Sequence, residues 1–335
     1  MKSKLFLQFL KFLKFSVPII GTLSLLWYAF ALIGYGHINP NNPLSLLNAS
    51  YIGSFVGGFV GIFFVILGVI LLYETLSLQR QELSQSRKIF NRQQFETTLF
   101  NLLNAQREIV NQIEYLEKEE KQTRQFKSRQ FFVLIEEEIR TLFSIISEEK
   151  IEDSLGPDQY FLLKIFEGKL KKAEKEETPD KLRFITKELN KIKRLSQGEQ
   201  IRMIYKLMFD HYHGFYGHYF RLLYHILKMI EEKEKTELSL SSENTSFELN
   251  QNDIIKTYQK YADIVQATLS SAELFVLFYN GLCFKEMKKL LHHFNFLENL
   301  AVEDLLCDAH KEFYSKCKID GNEFPEILFK SRDNL

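Results

Sequence analysis

The residues with the clearest chemical potential lie in one run, His211-Tyr-His-Gly-Phe-Tyr-Gly-His-Tyr-Phe-Arg-Leu-Leu-Tyr-His-Ile226. Apolar residues Phe215, Tyr219, Leu222 and Ile226 recur at steps of four, three and four, the spacing of a buried helix face. His218, Arg221 and His225 recur at steps of three and four on a different face. Two imidazoles and a guanidinium would therefore project together. Such a trio can bind phosphate, because Arg offers a planar fork of donors and His donates or titrates. It can also carry out nuclease-like acid–base chemistry. The plainer reading is a helix face whose His and Arg satisfy acidic or carbonyl partners.

A second run, Tyr261 to Leu282, contains Ser270 followed by Glu273, the signature of a capping box that opens a helix. That accounts for Glu273 without catalysis. Leu274, Leu277, Phe278 and Gly281 form the expected core stripe, and Asn280 among apolar neighbours is expected to be buried and hydrogen-bonded. Glu273 and Asn280 stand two turns apart on one side, from which a carboxylate could face Arg221 or His218. Together Glu273 and Asn280 are candidate structural or signalling residues.

These segments belong to a chain of two materials. The 335 residues carry 43 basic and 43 acidic side chains, and the zero balance argues against broad polyanion binding. Yet no Asp, Glu, Lys or Arg occurs between Lys14 and Glu74. Within that gap, 15–35 and 51–73 are each long and apolar enough to cross a bilayer as a helix. The connector 36–50 holds the break His37-Ile-Asn-Pro-Asn-Asn-Pro43. A cleaved signal peptide fits less well, because the first apolar run is too long and a second follows. Lys2, Lys4, Lys11 and Lys14 precede the first span; Arg80, Arg87, Lys88 and Arg92 follow the second; the connector has no Lys or Arg. The positive-inside rule then places both termini in the cytoplasm, with basic residues 1–14 inside, a two-span hairpin in the membrane and the short connector outside.

Gly53, Gly57 and Gly61, with Gly68 seven residues on, would make one smooth stripe on the second span. The stripe suits either homo-oligomer formation, into a pore for instance, or packing against the first span. Residues 74–335 are expected to form a cytoplasmic α-helical domain, giving an all-α fold. It opens with a long juxtamembrane helix, amphipathic from about residue 90, on Phe90, Phe95, Leu99, Leu102, Leu103, Ile109, Val110 and Ile113. Glu117 to Lys121 and Lys169 to Glu177 read as solvated helix faces, and Thr178-Pro-Asp180 as a helix start. The polar, Ser-rich stretch 231–252 reads as a flexible loop. No strand-like alternation stands out.

Cys283, Cys307 and Cys317 lack paired or metal-ligand spacing, and neither His292-His293 nor His310 supplies it. They read as reduced thiols and as surface or core histidines. No Walker loop, GxGxxG, HExxH or GxSxG occurs, and no cofactor or metal is expected.

Three stretches, Phe95–Asn104, Gly217–His225 and Leu269–Leu274 followed by Leu277–Asn280, resemble the AbiC-like phage abortive infection proteins. The resemblance spans roughly 90–285, with apolar spans in the same N-terminal place. It implies anti-phage defence in which the infected cell stops growing or dies before phage matures. The layout is also similar to membrane effectors of some retron defence systems, which implies a reverse transcriptase as partner. It carries over no catalytic residues. Helical RNases of abortive infection place four to six residues between Arg and His, whereas Arg221 and His225 are separated by three. The first expectation is a non-enzymatic membrane effector. The alternatives are a membrane-tethered RNase acting on nucleic acid through His218, Arg221 and His225, and an anchor holding another defence protein at the bilayer.

Overall fold

The computed structural model describes residues 2–34, 46–55, 57–58, 61–118, 123–148, 159–173, 181–243 and 251–332. The chain divides into two compact units, Met1–Glu96 and Thr97–Leu335, and the division falls within one helix.

The first unit contains α1 (Lys2–Gly34), α2 (Leu46–Phe55) and the start of α3 (Gly61–Gln112). The two longest apolar stretches lie at Phe12–Ala31 in α1 and in α3, with 18-residue windows of mean hydropathy 1.4 and 2.2, and both are almost wholly uncovered by protein. Their contacts run in opposite chain directions. Lys14 Nζ meets Glu74 Oε2 at 2.6 Å, Gly21 faces Phe63, and the Tyr28 ring stacks on Phe55 at 3.8 Å. Helix α1 therefore lies antiparallel to α2 and α3. The close approach is at Gly21, where a Cβ would touch Phe63 at 3.5 Å.

Within the apolar run 51–73, residues 56, 59 and 60 lie outside the described residues. Gly53 ends up in α2, Gly57 and Gly58 occupy a π-type turn, and Gly61 and Gly68 belong to α3. A Cβ on Gly53, Gly57 or Gly68 would meet no described atom within 4 Å, so these glycines make no close packing with the first span.

The second unit is mostly helical: the end of α3, then α4 (Gln130–Ser147), α5 (Gln159–Ile165), α6 (Glu167–Ala173), α7 (Lys181–Lys193), α8 (Gln197–Glu243), α9 (Gln251–Gln266), α10 (Ser271–Cys283) and α11 (Lys285–His293). Its centre is α10, buried without a gap from Ala272 to Gly281. A helix that is apolar all round has to be enclosed, and α4, α8 and α11 pack around it. Ser270 accepts from Glu273 N while the Glu273 carboxylate accepts from Ser270 N at 2.7 Å, so the expected capping box is present.

Four expectations are revised. Two small antiparallel hairpins break the all-helical pattern: β1 (Glu114–Lys118) with β2 (Thr123–Lys127), and β3 (Cys317–Ile319) with β4 (Asn322–Phe324). Each pairs strands of three to five residues, too short for alternation to register against a helical background. Second, Glu117 is no solvated helix residue. It sits in β1, buried, with its carboxylate 2.6 Å from Lys164 Nζ. Third, residues 231–243 are helix rather than loop, because α8 runs on to Glu243. Lys228 and Lys235 bracket Glu231 at 2.7 and 2.6 Å, and hydroxyls of Thr236, Ser239 and Ser242 bond back to the preceding turn. Residues 244–252 include 244–250, which lie outside the described residues, as do Thr178–Asp180 and the connector 36–45. Fourth, Phe90 is exposed, so the amphipathic stretch expected from about residue 90 has its buried face at Phe95, Leu99, Leu103 and Val110.

Candidate functional site

Helix α8 buries a ladder of aromatic residues, Tyr205, Tyr212, Tyr216, Tyr219 and Phe220, against α4 and α10. That ladder turns the other side of the helix outward. Tyr219 and Ile226 are buried as the spacing predicts, but Phe215 is 40% exposed and Leu222 is only half-buried. The buried stripe is shifted by about one residue toward Tyr212, Tyr216 and Leu223.

His218, Arg221 and His225 are all exposed and share one face of α8. His218 and Arg221 line a groove of about 660 Å³ between α8, α10 and the start of α11. His225 is one turn beyond, against the Tyr224 ring, and does not line it. Neither His218 nor Arg221 has a hydrogen-bond or ion-pair partner among the described residues, so the reading in which they satisfy buried partners is not what the structure displays.

The groove has aromatic walls. Phe209 and Phe284 meet edge to face at 5.4 Å, and His213 stacks on Phe209 at 5.8 Å. Asn280 closes the floor. It is 3% exposed and donates through Nδ2 to Tyr205 Oη at 2.7 Å, as its apolar surroundings required. Burial holds the Tyr205 phenol well above its usual pKa, which keeps it a neutral hydrogen-bonding group. Glu286 supplies an acid on the rim, drawn toward Lys289 Nζ at 2.6 Å. Gly214 and Gly217 leave the α8 wall without side chains, and a Cβ on Gly214 would meet nothing within 4 Å. An apolar trough with a guanidinium and an imidazole on its edge suits an amphipathic ligand with an anionic end.

Glu273 is not part of this groove. Its carboxylate does not meet Arg221 or His218; it faces Arg129 Nε at 3.4 Å. Glu273 and Asn280 thus serve two different cavities from one helix. Arg129, Tyr205 and Glu286 were not singled out by sequence, and Arg129 stands so far from Glu273 along the chain that no local spacing signals the pair.

His292, His293 and His310, outside α8, are each tied into hydrogen bonds of the fold. His310 is fully buried, with Nδ1 3.1 Å from Tyr279 Oη and Nε2 3.2 Å from Gln197 Nε2. His292 is buried, with Nδ1 2.8 Å from the Pro325 carbonyl. His293 bonds to Glu234 at 2.6 Å. No cluster of three metal-ligating side chains occurs among the described residues, and all three cysteines are free.

This is a mostly helical protein carrying two helices long and apolar enough to cross a membrane. Residues 211–305 match the model of the family described as "Putative phage abortive infection protein". The matched stretch takes in α8 from His211, α9, α10 and α11, with both the groove and the capping box. It includes the Gly217–His225 and Leu269–Asn280 stretches that carry the resemblance, while Phe95–Asn104 lies outside it. No curated protein and no solved structure matches the chain.

Proposed function

We propose that the protein defends a bacterium against phage by abortive infection, as an effector anchored in the inner membrane with both termini in the cytoplasm. The carrying observation is the combination in one chain of the 211–305 family match with two uncovered apolar helices. In this reading the helical domain senses infection or a partner, and the spans assemble to make the membrane leaky. Support for assembly comes from Gly53, Gly57 and Gly68, which face no described atom of their own chain and so leave room for a second copy. The partners are the lipid bilayer, further copies of the chain and, by analogy of layout, a retron reverse transcriptase.

The test is membrane potential in phage-infected cells, followed with a voltage-sensitive dye. Wild-type cells are expected to depolarise before lysis, and Gly57→Leu cells at equal protein level are expected to keep their potential. Protection with potential intact in wild type overturns the reading.

The second reading, a membrane-tethered RNase, rests on the unpaired His218 and Arg221 at one groove. It predicts degraded RNA in protected cells and loss of protection in both His218→Ala and Arg221→Ala. The third, an anchor for another defence protein, predicts no protection from the chain expressed alone.

A further inference from the structure

A second cavity, of about 870 Å³, lies on the other side of α8 among α3, the β2–α4 turn, the end of α9 and the start of α10. Its floor is polar and deeply buried. Gln106 is 4% exposed and Tyr219 is 1% exposed. Both atoms of the Gln106 amide and the Tyr219 hydroxyl lack a hydrogen-bond partner among the described residues. The Gln106 amide and the Glu273 carboxylate both stand beside the Tyr219 hydroxyl, short of full hydrogen-bond geometry, and burial first, then Glu273, holds that phenol protonated. Leaving a buried amide unpaired costs stability, and a folded chain retains such a group where something else completes it.

The rim is cationic. Arg107, Lys127 and Arg129 line it, against the single carboxylate of Glu273. Arg107 has no ion-pair partner among the described residues. Arg129 is fixed by Glu273 and by donation to the Thr268 carbonyl, and Lys127 lies 3.6 Å from Glu114. The β2–α4 turn that presents Lys127 and Arg129 is held by Ser128, which donates from N to the Ile113 carbonyl at 2.9 Å and from Oγ to Asn111 Oδ1 at 3.1 Å.

We propose that this cavity binds a nucleotide. A side-chain amide offers a donor and an acceptor in one plane, the complement of a nucleobase edge. Arg107, Lys127 and Arg129 match the charge and fork geometry of phosphate. The volume falls within the range of small-molecule sites.

The test is thermal melting of the full-length protein in detergent micelles with ATP, GTP, CTP, UTP, AMP or GMP, beside inorganic phosphate at the same concentration. At least one nucleotide is expected to raise Tm, with phosphate alone giving no comparable rise. The exposed double substitution Arg107→Ala/Lys127→Ala is expected to weaken binding tenfold or more. Gln106→Leu is expected to abolish the nucleotide shift while raising the Tm of the ligand-free protein, because it removes an unpaired buried amide. A Gln106 that serves packing alone predicts a lower Tm instead. The proposal is overturned if no nucleotide shifts Tm, if phosphate alone shifts it equally, if either variant binds as wild type does, or if Gln106→Leu is destabilised.

Discussion

His310 sits where it has little freedom to ionise. Burial pushes its pKa from 6.5 to about 4. In the unfolded chain the imidazole takes its proton near 6.5, so the unfolded state binds the proton first as pH falls. The stability tied to neutral His310 is complete above about pH 6.5 and is lost between there and about pH 4. At about 1.4 kcal/mol per pH unit, roughly 2 kcal/mol goes between pH 7 and pH 5. His292 and His211 are lowered in the same direction, each mainly by burial, and steepen the fall. Melting curves of wild type and His310→Gln at the two pH values check this: the variant is expected to lose clearly less on acidification, and parallel losses would exclude His310 as a source. Lys164 presents the opposite arrangement. Burial alone would lower its pKa, but Glu138 and Glu117, each 2.6 Å away, outweigh that and hold it above the usual value. Glu138 also accepts from Tyr212 Oη at 2.8 Å, yet burial still raises its pKa. Lys164→Met strands two buried carboxylates and is expected to cost about 3–5 kcal/mol, read as a drop in unfolding midpoint. Pairing it with Glu138→Leu is expected to recover a large part, and a double variant no better than the single one argues against the charge explanation. None of this network is legible in sequence, where Lys164 and Glu117 are two charges among many in a polar stretch.

At the scale of elements, the legible parts were those whose cause is local. The Ser270–Glu273 box is a four-residue matter, and α10 starts where it says. Asn280 is buried for the same reason, being surrounded by apolar neighbours in a helix too short to span a membrane. The end of α8 was not legible, because its polar continuation is held by ion pairs and hydroxyl bonds that depend on the helix already being formed. The split of Glu273 from Asn280 was equally hidden: a helix packed on all sides delivers side chains two turns apart on one side to different cavities. Gly281 shows the packing limit of that arrangement. A Cβ there would run into the Tyr314 hydroxyl and lie 2.8 Å from Leu291 Cδ1. The displaced hydroxyl is the one that donates to the Phe278 carbonyl at 2.7 Å in the core. Gly281→Ala is therefore expected to destabilise by about 1–3 kcal/mol despite the better helix propensity of Ala, with Tm as the measurement. An unchanged or higher Tm would mean that α11 and the turn bearing Tyr314 give way easily. Gly217→Leu, by contrast, is on an open groove wall, and its Tm is expected to stay close to that of wild type.

For the whole molecule, the charge-free run between Lys14 and Glu74 is the most informative feature of the sequence, and its physical basis is solvent rather than packing. Apolar side chains such as Leu26, Trp27, Phe30, Phe64 and Val65 are more than half exposed, an arrangement water does not tolerate over two helices. Lipid is the environment that the proposed membrane reading assigns to them, with the basic residues on both flanks expected to set the orientation. The orientation has a direct chemical readout. In a background with Cys283, Cys307 and Cys317 changed to Ser, a thiol at Asn41→Cys is expected to react with a membrane-impermeant maleimide in intact spheroplasts. A thiol at Glu232→Cys, on an exposed position of α8, is expected to react only after the membrane is opened. Labelling of both in sealed spheroplasts would place the helical domain outside. Protection of both would remove the connector from the external face, and with it the two-span arrangement on which the effector reading depends.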